Sequence, residues 1–270
     1  MSREMEALAA AVKDIAVRAG TRILEVYHSE FAVENKADDS PLTLADRAAH
    51  QLIVQELSRL TPELPILSEE GKLQDYDTRR RWQRYWLVDP LDGTKEFVKR
   101  NGEFTVNIAL IDQHRPILGV VHAPVLGTTW YAVGGKAFRD QDGVVEPLRV
   151  RPVSGAIIAV VSRSHRGERI DAMLERIPEV ESVSVGSSLK FCLVAEGKAD
   201  LYPRFGPTSE WDTAAAHCVV EGAGGRVSKI DLSPLRYNTK ESLLNPDFVV
   251  TGDPDHDWRR YLEGLHGEER

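Results

Sequence analysis

The chain has 270 residues and a formal net charge of −8 at pH 7; 42% of its residues are hydrophobic and 28% charged. This balance fits a globular protein with one large core or two lobes and excludes the disordered and fibrous classes. The acidic surplus argues against a nucleic-acid polymer as partner, although a small phosphorylated ligand needs only a local basic patch or a metal.

The opening MSREMEALAAAVKDIA carries acids and lacks a compact apolar core with a cleavage site, so a signal peptide is not expected. From 6 to 27 apolar residues recur at Leu8, Val12, Ile15, Ala19, Ile23 and Val26, a helical period. A charged loop, ENKADDSP, which contains Lys36, follows, with Asp38 and Asp39 as loop charges, and a second helix is expected over 44–60, ending before Pro62. Strand-like runs then occupy 65–68, 85–89, 104–112, 116–124 and 128–134, the last three joined by hairpin connections. The second half alternates strands at 156–162, 182–187 and 199–204 with helices at 169–177, 188–197 and 212–224. GAGG at 222–225 reads as a helix stop. The expected organisation is two α/β lobes, 1–150 and 151–270, in one compact unit. No run of about 18 apolar residues exists, so no membrane span is expected. Cys192 and Cys218 lack CxxC spacing, which suits a reduced, cytoplasmic protein.

The stretch WLVDPLDGTKEF, 86–97, places Asp89 and Asp92 at the mouth of a hydrophobic strand. Turn chemistry explains Asp, Pro and Gly there, but two more acids have comparable positions. Glu69 and Glu70 follow PILS, and Asp212 stands at the start of the helix TAAAHCVV, where it also suits an N-cap. Strand ends and helix starts are where α/β folds bind ligands. Two charges about 4 Å apart repel by roughly 4 kcal/mol at an effective dielectric of 20, so converging carboxylates must protonate or take cations. Oxygen donors without clustered Cys or His favour Mg²⁺ or Mn²⁺ over zinc. Two or three such ions would balance four carboxylates and a phosphate, which is the charge logic of metal-assisted phosphate hydrolysis. Backbone N–H groups at Gly93 and Thr94 would hold the phosphate. The Thr94 hydroxyl, backed by Asp46, would act on the attacking water; TLAD at 43–46 reads equally as a helix-start box.

SEEG at 68–71, DPLDGT at 89–94 and EWDTAAAH at 210–217 resemble the three separated signatures of the inositol monophosphatase family of Mg²⁺-dependent, lithium-sensitive phosphatases. GTKEFVKRNGEFTVNIALID, VSRSH and GSSLKFCLVAEGKADLYPRFGPTSEWDTAAAH are similar to its bacterial 3′(2′),5′-bisphosphate nucleotidase branch. The resemblance implies a layered αβαβα sandwich and removal of the 3′-phosphate from 3′-phosphoadenosine 5′-phosphate, a by-product of sulfate assimilation, with the sulfated form as a second substrate. It implies metal ligation by Glu69, Asp89, Asp92, Asp212 and the carbonyl of Leu91, phosphate binding at Gly93 and Thr94, and water activation by Thr94 with Asp46. For the nucleoside end it implies His165, Gly186, Ser187, Lys190 and Arg204, the two cations suiting a 5′-phosphate. A monomer or dimer, cytoplasmic or peripheral on the inner membrane, is expected. Ser187, Ser188, Cys192 and the remaining histidines offer no nucleophilic triad, and His217 reads as packing. The alternatives are an inositol monophosphatase, a fructose-1,6-bisphosphatase and a non-catalytic nucleotide sensor. An aspartyl-phosphate route is disfavoured because Asp89 and Asp92 stand three apart rather than two.

Overall fold

A computed structural model describes residues 3–29, 41–162, 167–265 and 267–269. The N-terminal third supplies helices α1 (Arg3–Tyr27) and α2 (Pro41–Leu60), strand β1 (Ile66–Ser68), the short α3 (Tyr76–Arg79), β2 (Arg84–Asp92) and α4 (Thr94–Val98). Five strands follow: β3 (Thr105–Asp112), β4 (Arg115–Ala123), β5 (Thr128–Val133), β6 (Lys136–Gln141) and β7 (Val144–Pro147). The remainder reads β8 (Ile157–Ser162), α5 (Glu168–Leu174), β9 (Val180–Val185), α6 (Leu189–Ala195), β10 (Leu201–Arg204), α7 (Glu210–Gly222), β11 (Arg226–Lys229), β12 (Phe248–Thr251) and α8 (Arg259–Leu262).

Strands β1 to β7 form one sheet in chain order; β1 pairs parallel with β2 and every later pair is antiparallel. The second sheet has the order β11-β12-β10-β8-β9, parallel among β10, β8 and β9. Alternation along β2 sorts its side chains. Trp86 and Val88 join Val12, Ile15 and Ile53 of α1 and α2 on one face, whereas Tyr85 and Leu87 join the helices between the sheets. Burying each such aliphatic or aromatic side chain is worth about 1.5–3 kcal/mol.

The layer between the sheets is built on α6 and α7. Helix α7 is buried almost all round, from Thr213 to Val220, because its Ala214–Ala216 run lets it lie flat between two apolar surfaces. It approaches so closely that a Cβ on Gly119 of β4 would stand 2.3 Å from the Ala215 carbonyl oxygen. Helices α5 and α8 cover the outer face of the second sheet through Ile170, Met173, Tyr261 and Leu262. The order helix, sheet, helix, sheet, helix is the expected αβαβα sandwich. Beyond the expected elements the structure adds α3, β6, β7, β11, β12 and α8.

Strand β2 is longer than the expected 85–89, and its extra length is irregular. Asp89 pairs with Asn107 and Asp92 with Thr105, so three steps on β2 answer two on β3. This is a β-bulge at Pro90–Leu91, where proline has no N–H to give the ladder.

Candidate active site

The bulge ends the strand in acids. Asp89 is 1% exposed and its Oδ1 accepts the Leu91 N–H at 3.0 Å. Beside it, the Glu69 N–H donates to the Val88 carbonyl at 3.1 Å, which brings the end of β1 level with the end of β2. Burial pushes Asp89 well above the usual carboxylate range, and the charges of Asp92, Glu69, Asp212 and Asp46 push it further. Glu69 is raised by burial and by Asp92 and Glu70, while a hydrogen bond from Asp89 opposes the shift.

Asp92 is raised by burial against the pull of Lys190 and of hydrogen bonds from Ser188 and Asn107. Asp212 reaches about 8 through burial and then Asp92, with Ser209 and Arg204 opposing. Asp46 also reaches about 8, through burial, then Glu70, then Glu69, and its Oδ1 is buried without a hydrogen-bond partner among the described residues. The residues the sequence placed apart thus sense one another's charge at the adjoining ends of β1, β2, α2 and α7. Among the described residues, no three His, Cys, Asp or Glu side chains close into a set that holds an ion unaided. The donors nevertheless suit a hard divalent cation. They are mutually repelling oxygen ligands, one with an orphaned buried atom, and no thiolate or imidazole stands among those that couple.

Next to these acids a cavity of about 270 Å³ is lined by Asp92, Gly93, Thr94, Gly186, Ser187, Lys190, Arg204 and Asp212, among others. Gly93 has φ +96°, and a Cβ there would come within 3.2 Å of both Phe104 Cα and Ser187 Cβ, so the turn into α4 admits only glycine without rearrangement. In the same lining Lys190, 7% exposed, donates to the Ser187 carbonyl at 2.6 Å, and Arg204, 8% exposed, donates to the Pro207 carbonyl at 2.8 Å. Burial lowers Lys190 to about 8, with Asp92 opposing. The Arg204 Nε and the Ser187 Oγ are buried without a hydrogen-bond partner among the described residues. Gly186 donates its N–H to Glu103 at 2.8 Å.

Two expectations change on contact with the structure. Asp212 is not the N-cap of α7: Ser209 is, and Asp212 closes a capping box by accepting the Ser209 N–H at 2.9 Å. Asp46 lies past the first turn of α2, which begins at Pro41, and its charge partners are Glu70 and Glu69. Thr94 lines the cavity. His165, Lys36, Asp38 and Asp39 lie outside the described residues. His217 is fully buried, its Nδ1 2.8 Å from the Tyr237 hydroxyl, in keeping with packing.

Sequence reading missed several neighbours of the site. Glu70 was visible only as the second acid of SEEG. Glu96 and Lys95 line the cavity. Glu210, raised to about 8 by burial, accepts the Asn238 N–H on both carboxylate oxygens and anchors the chain entering α7 to a distant loop. Arg79 reinforces that anchor through Asn238 and the Glu241 carbonyl. Nothing in the local pattern announces a buried arginine whose partners lie about 160 residues away.

The comparisons agree with this geometry. The inositol monophosphatase family model matches residues 4–263. The chain is 52% identical to the 3′(2′),5′-bisphosphate nucleotidase CysQ of Escherichia coli (strain K12) over 242 residues, covering 89% of this chain and 98% of that one. It is 39% identical to CysQ of Haemophilus influenzae over 257 residues, covering 92% and 94%. Among solved structures, CysQ from Bacteroides thetaiotaomicron superposes with a TM-score of 0.83 at 46% identity, covering 91% of this chain and 97% of that one. An inositol monophosphatase from Zymomonas mobilis gives 0.76 at 25% identity, covering 94% and 95%. The chain belongs to the inositol monophosphatase family.

Proposed function

We propose that this chain is a 3′(2′),5′-bisphosphate nucleotidase that removes the 3′-phosphate of 3′-phosphoadenosine 5′-phosphate to leave AMP, with Mg²⁺ as its ion and the sulfated nucleotide as a second substrate. The observation that carries the reading is the mixed lining of the cavity: the acids Asp92 and Asp212 and the buried cations Lys190 and Arg204 all border it. A phosphate held through metal needs only the acids; a nucleotide with a second phosphate also engages the two cations. The relatives named above as nucleotidases support the same substrate class.

In this reading Glu69, Asp89, Asp92, Asp212 and the carbonyl of Leu91 hold two or three Mg²⁺ ions. When bound, Mg²⁺ neutralises the phosphate and makes water a stronger acid. Gly93 and Thr94 offer backbone N–H groups and a hydroxyl to the reacting phosphate. Asp46, with one carboxylate oxygen buried and without a hydrogen-bond partner among the described residues, is the group that accepts a proton from the attacking water through Thr94, and Glu70 and Glu69 are its charged neighbours. Arg204 and Lys190, with Ser187, Gly186 and His165, hold the nucleoside end. Fixed at backbone carbonyls, the two cations orient an anion without moving to meet it.

Phosphate release from a panel of bisphosphate nucleotides, inositol phosphates and sugar phosphates at fixed Mg²⁺ tests the proposal. The bisphosphate nucleotide is expected to have the highest kcat/KM, with inhibition by lithium. A preference for inositol monophosphate or fructose 1,6-bisphosphate would overturn the substrate assignment, and nucleotide binding without turnover would overturn the enzyme reading.

A further inference from the structure

We propose that Thr105, Asn107 and Ser188 are positioning residues, a buried hydrogen-bond chain that fixes Asp92 against the first turn of α7. The assignment rests on the reading in which Asp92 and Asp212 hold the metal. Thr105 and Asn107 sit on β3 opposite Asp92 and Asp89, flanking the bulge. The Thr105 Oγ1 donates to the Asn107 Oδ1 at 3.1 Å, and the Asn107 Nδ2 donates to the Ser188 Oγ at 2.9 Å. The three residues are 0%, 1% and 1% exposed, so water does not compete for these groups.

The chain has a direction. Because the Asn107 oxygen is occupied by Thr105, its amide nitrogen faces Ser188. The Ser188 oxygen therefore accepts, and its single proton goes forward. Two acceptors are in reach: Asp92 Oδ2 at 2.9 Å and the Asp212 carbonyl at 2.8 Å. One hydroxyl thus joins the end of β2, the first turn of α7 and the loop leading out of β9, elements that belong to both sheets and to the layer between them.

A second observation separates this role from ordinary helix chemistry. Ser188 occupies the N-cap of α6, where a serine side chain normally accepts a backbone N–H, yet it makes no capping bond. Its hydroxyl is turned away from its own helix and toward the acids. Removing it should therefore cost the helix little and the site much.

The test is divalent-cation binding by calorimetry in the absence of substrate, together with metal-free melting temperature and the split between kcat and KM. Partners that hold a metal ligand typically change affinity 10- to 100-fold when removed. Ser188→Ala is expected to weaken Mg²⁺ binding by about that factor, to lower kcat at saturating nucleotide with KM little altered, and to leave the metal-free melting temperature near wild type. Thr105→Val keeps the shape of the side chain but frees the Asn107 amide, and should weaken Mg²⁺ binding several-fold. It provides the answer if Ser188→Ala does not fold. The Asn107 amide also hydrogen-bonds Asp92 itself, so the double variant Asn107→Ala with Ser188→Ala should bind Mg²⁺ at least as weakly as the worse single variant. Unchanged Mg²⁺ affinity in the single variants overturns the assignment while leaving the metal site standing. A wild-type protein that binds neither Mg²⁺ nor Mn²⁺ overturns the metal reading itself, and this assignment with it.

Discussion

The acids and the cations of the site are both shielded from water, but they are assembled in opposite ways. Asp89, Asp92 and Asp212 are raised first by burial, and Asp89 and Asp212 are raised further by neighbouring carboxylates. Lys190 and Arg204 are held by carbonyl oxygens, and the Lys190 ammonium also lies 5.5 Å from the Tyr202 ring centroid. The acids repel one another until cations arrive. The basic pair keeps most of its positive charge available to an anion. Buried charge therefore serves ion capture in one group and ligand orientation in the other.

The difference is broken most severely at Asp92. Asp92→Asn should lower turnover by at least about 10³-fold, roughly 4 kcal/mol of transition-state stabilisation, while the metal-free protein melts no lower than wild type. Steady-state kinetics and calorimetry check it; retained turnover with unaltered metal dependence would remove Asp92 from the site. Next comes the basic pair. Replacing Arg204 or Lys190 with Met should lower kcat/KM for the bisphosphate nucleotide about 10- to 100-fold, the scale of a lost charge-assisted contact. It should lower the preference over monophosphate esters in step. Equal losses on both substrate types would show that these cations do not read the second phosphate.

The acid cluster also predicts a pH signature. Asp46 and Asp212 stand near 8 in the folded protein, above the ordinary carboxylate value of 3.8. A raised carboxylate contributes stability that is complete at acid pH and is lost as pH rises through the folded value. His122, buried and lowered to about 4, works the other way, but only between about 4 and 6.5. Above pH 6.5 the carboxylates outweigh Lys190, which is lowered to about 8 and opposes them only from about that pH upward. Metal-free protein should lose about 1–3 kcal/mol between pH 6.5 and 8.5, and saturating Mg²⁺ should reverse the trend. Melting curves with chelator and with Mg²⁺ decide it, and a metal-free stability that is flat or rising across that window would contradict the raised acids. The smallest effect belongs to the capping box. Ser209→Ala should cost about 1 kcal/mol in denaturant unfolding, with a modest weakening of Mg²⁺ binding as Asp212 loses its restraint.

The layered fold was legible in the sequence because its helices and strands keep clean periods. Leu8 to Val26 repeats as a helix, and the runs 104–112 and 116–124 alternate as a hairpin. The site acids were legible because each stands where a hydrophobic run stops. What escaped was set by pairings distant in sequence. Asp212 looked like a cap because its box partner Ser209 lies outside the helical pattern. Ser188 looked structural because its acceptors, Asp92 and the Asp212 carbonyl, come from elsewhere in the chain. Arg79 carries no local mark of burial, since its hydrogen-bond partners Asn238 and the Glu241 carbonyl come from far along the chain. The strands β6, β7, β11 and β12 are short and weakly patterned, and tertiary pairing rather than propensity makes them.

The bulge at Pro90–Leu91 has a consequence for how this chain tolerates change. Three residues apart on a regular strand, Asp89 and Asp92 would face opposite sides of the sheet; the supernumerary residue restores them to the same side. Excising Leu91 would leave the two acids two apart on a regular strand and so still on one side, but it would remove the bulge and the bend that the bulge puts into the chain ahead of Gly93.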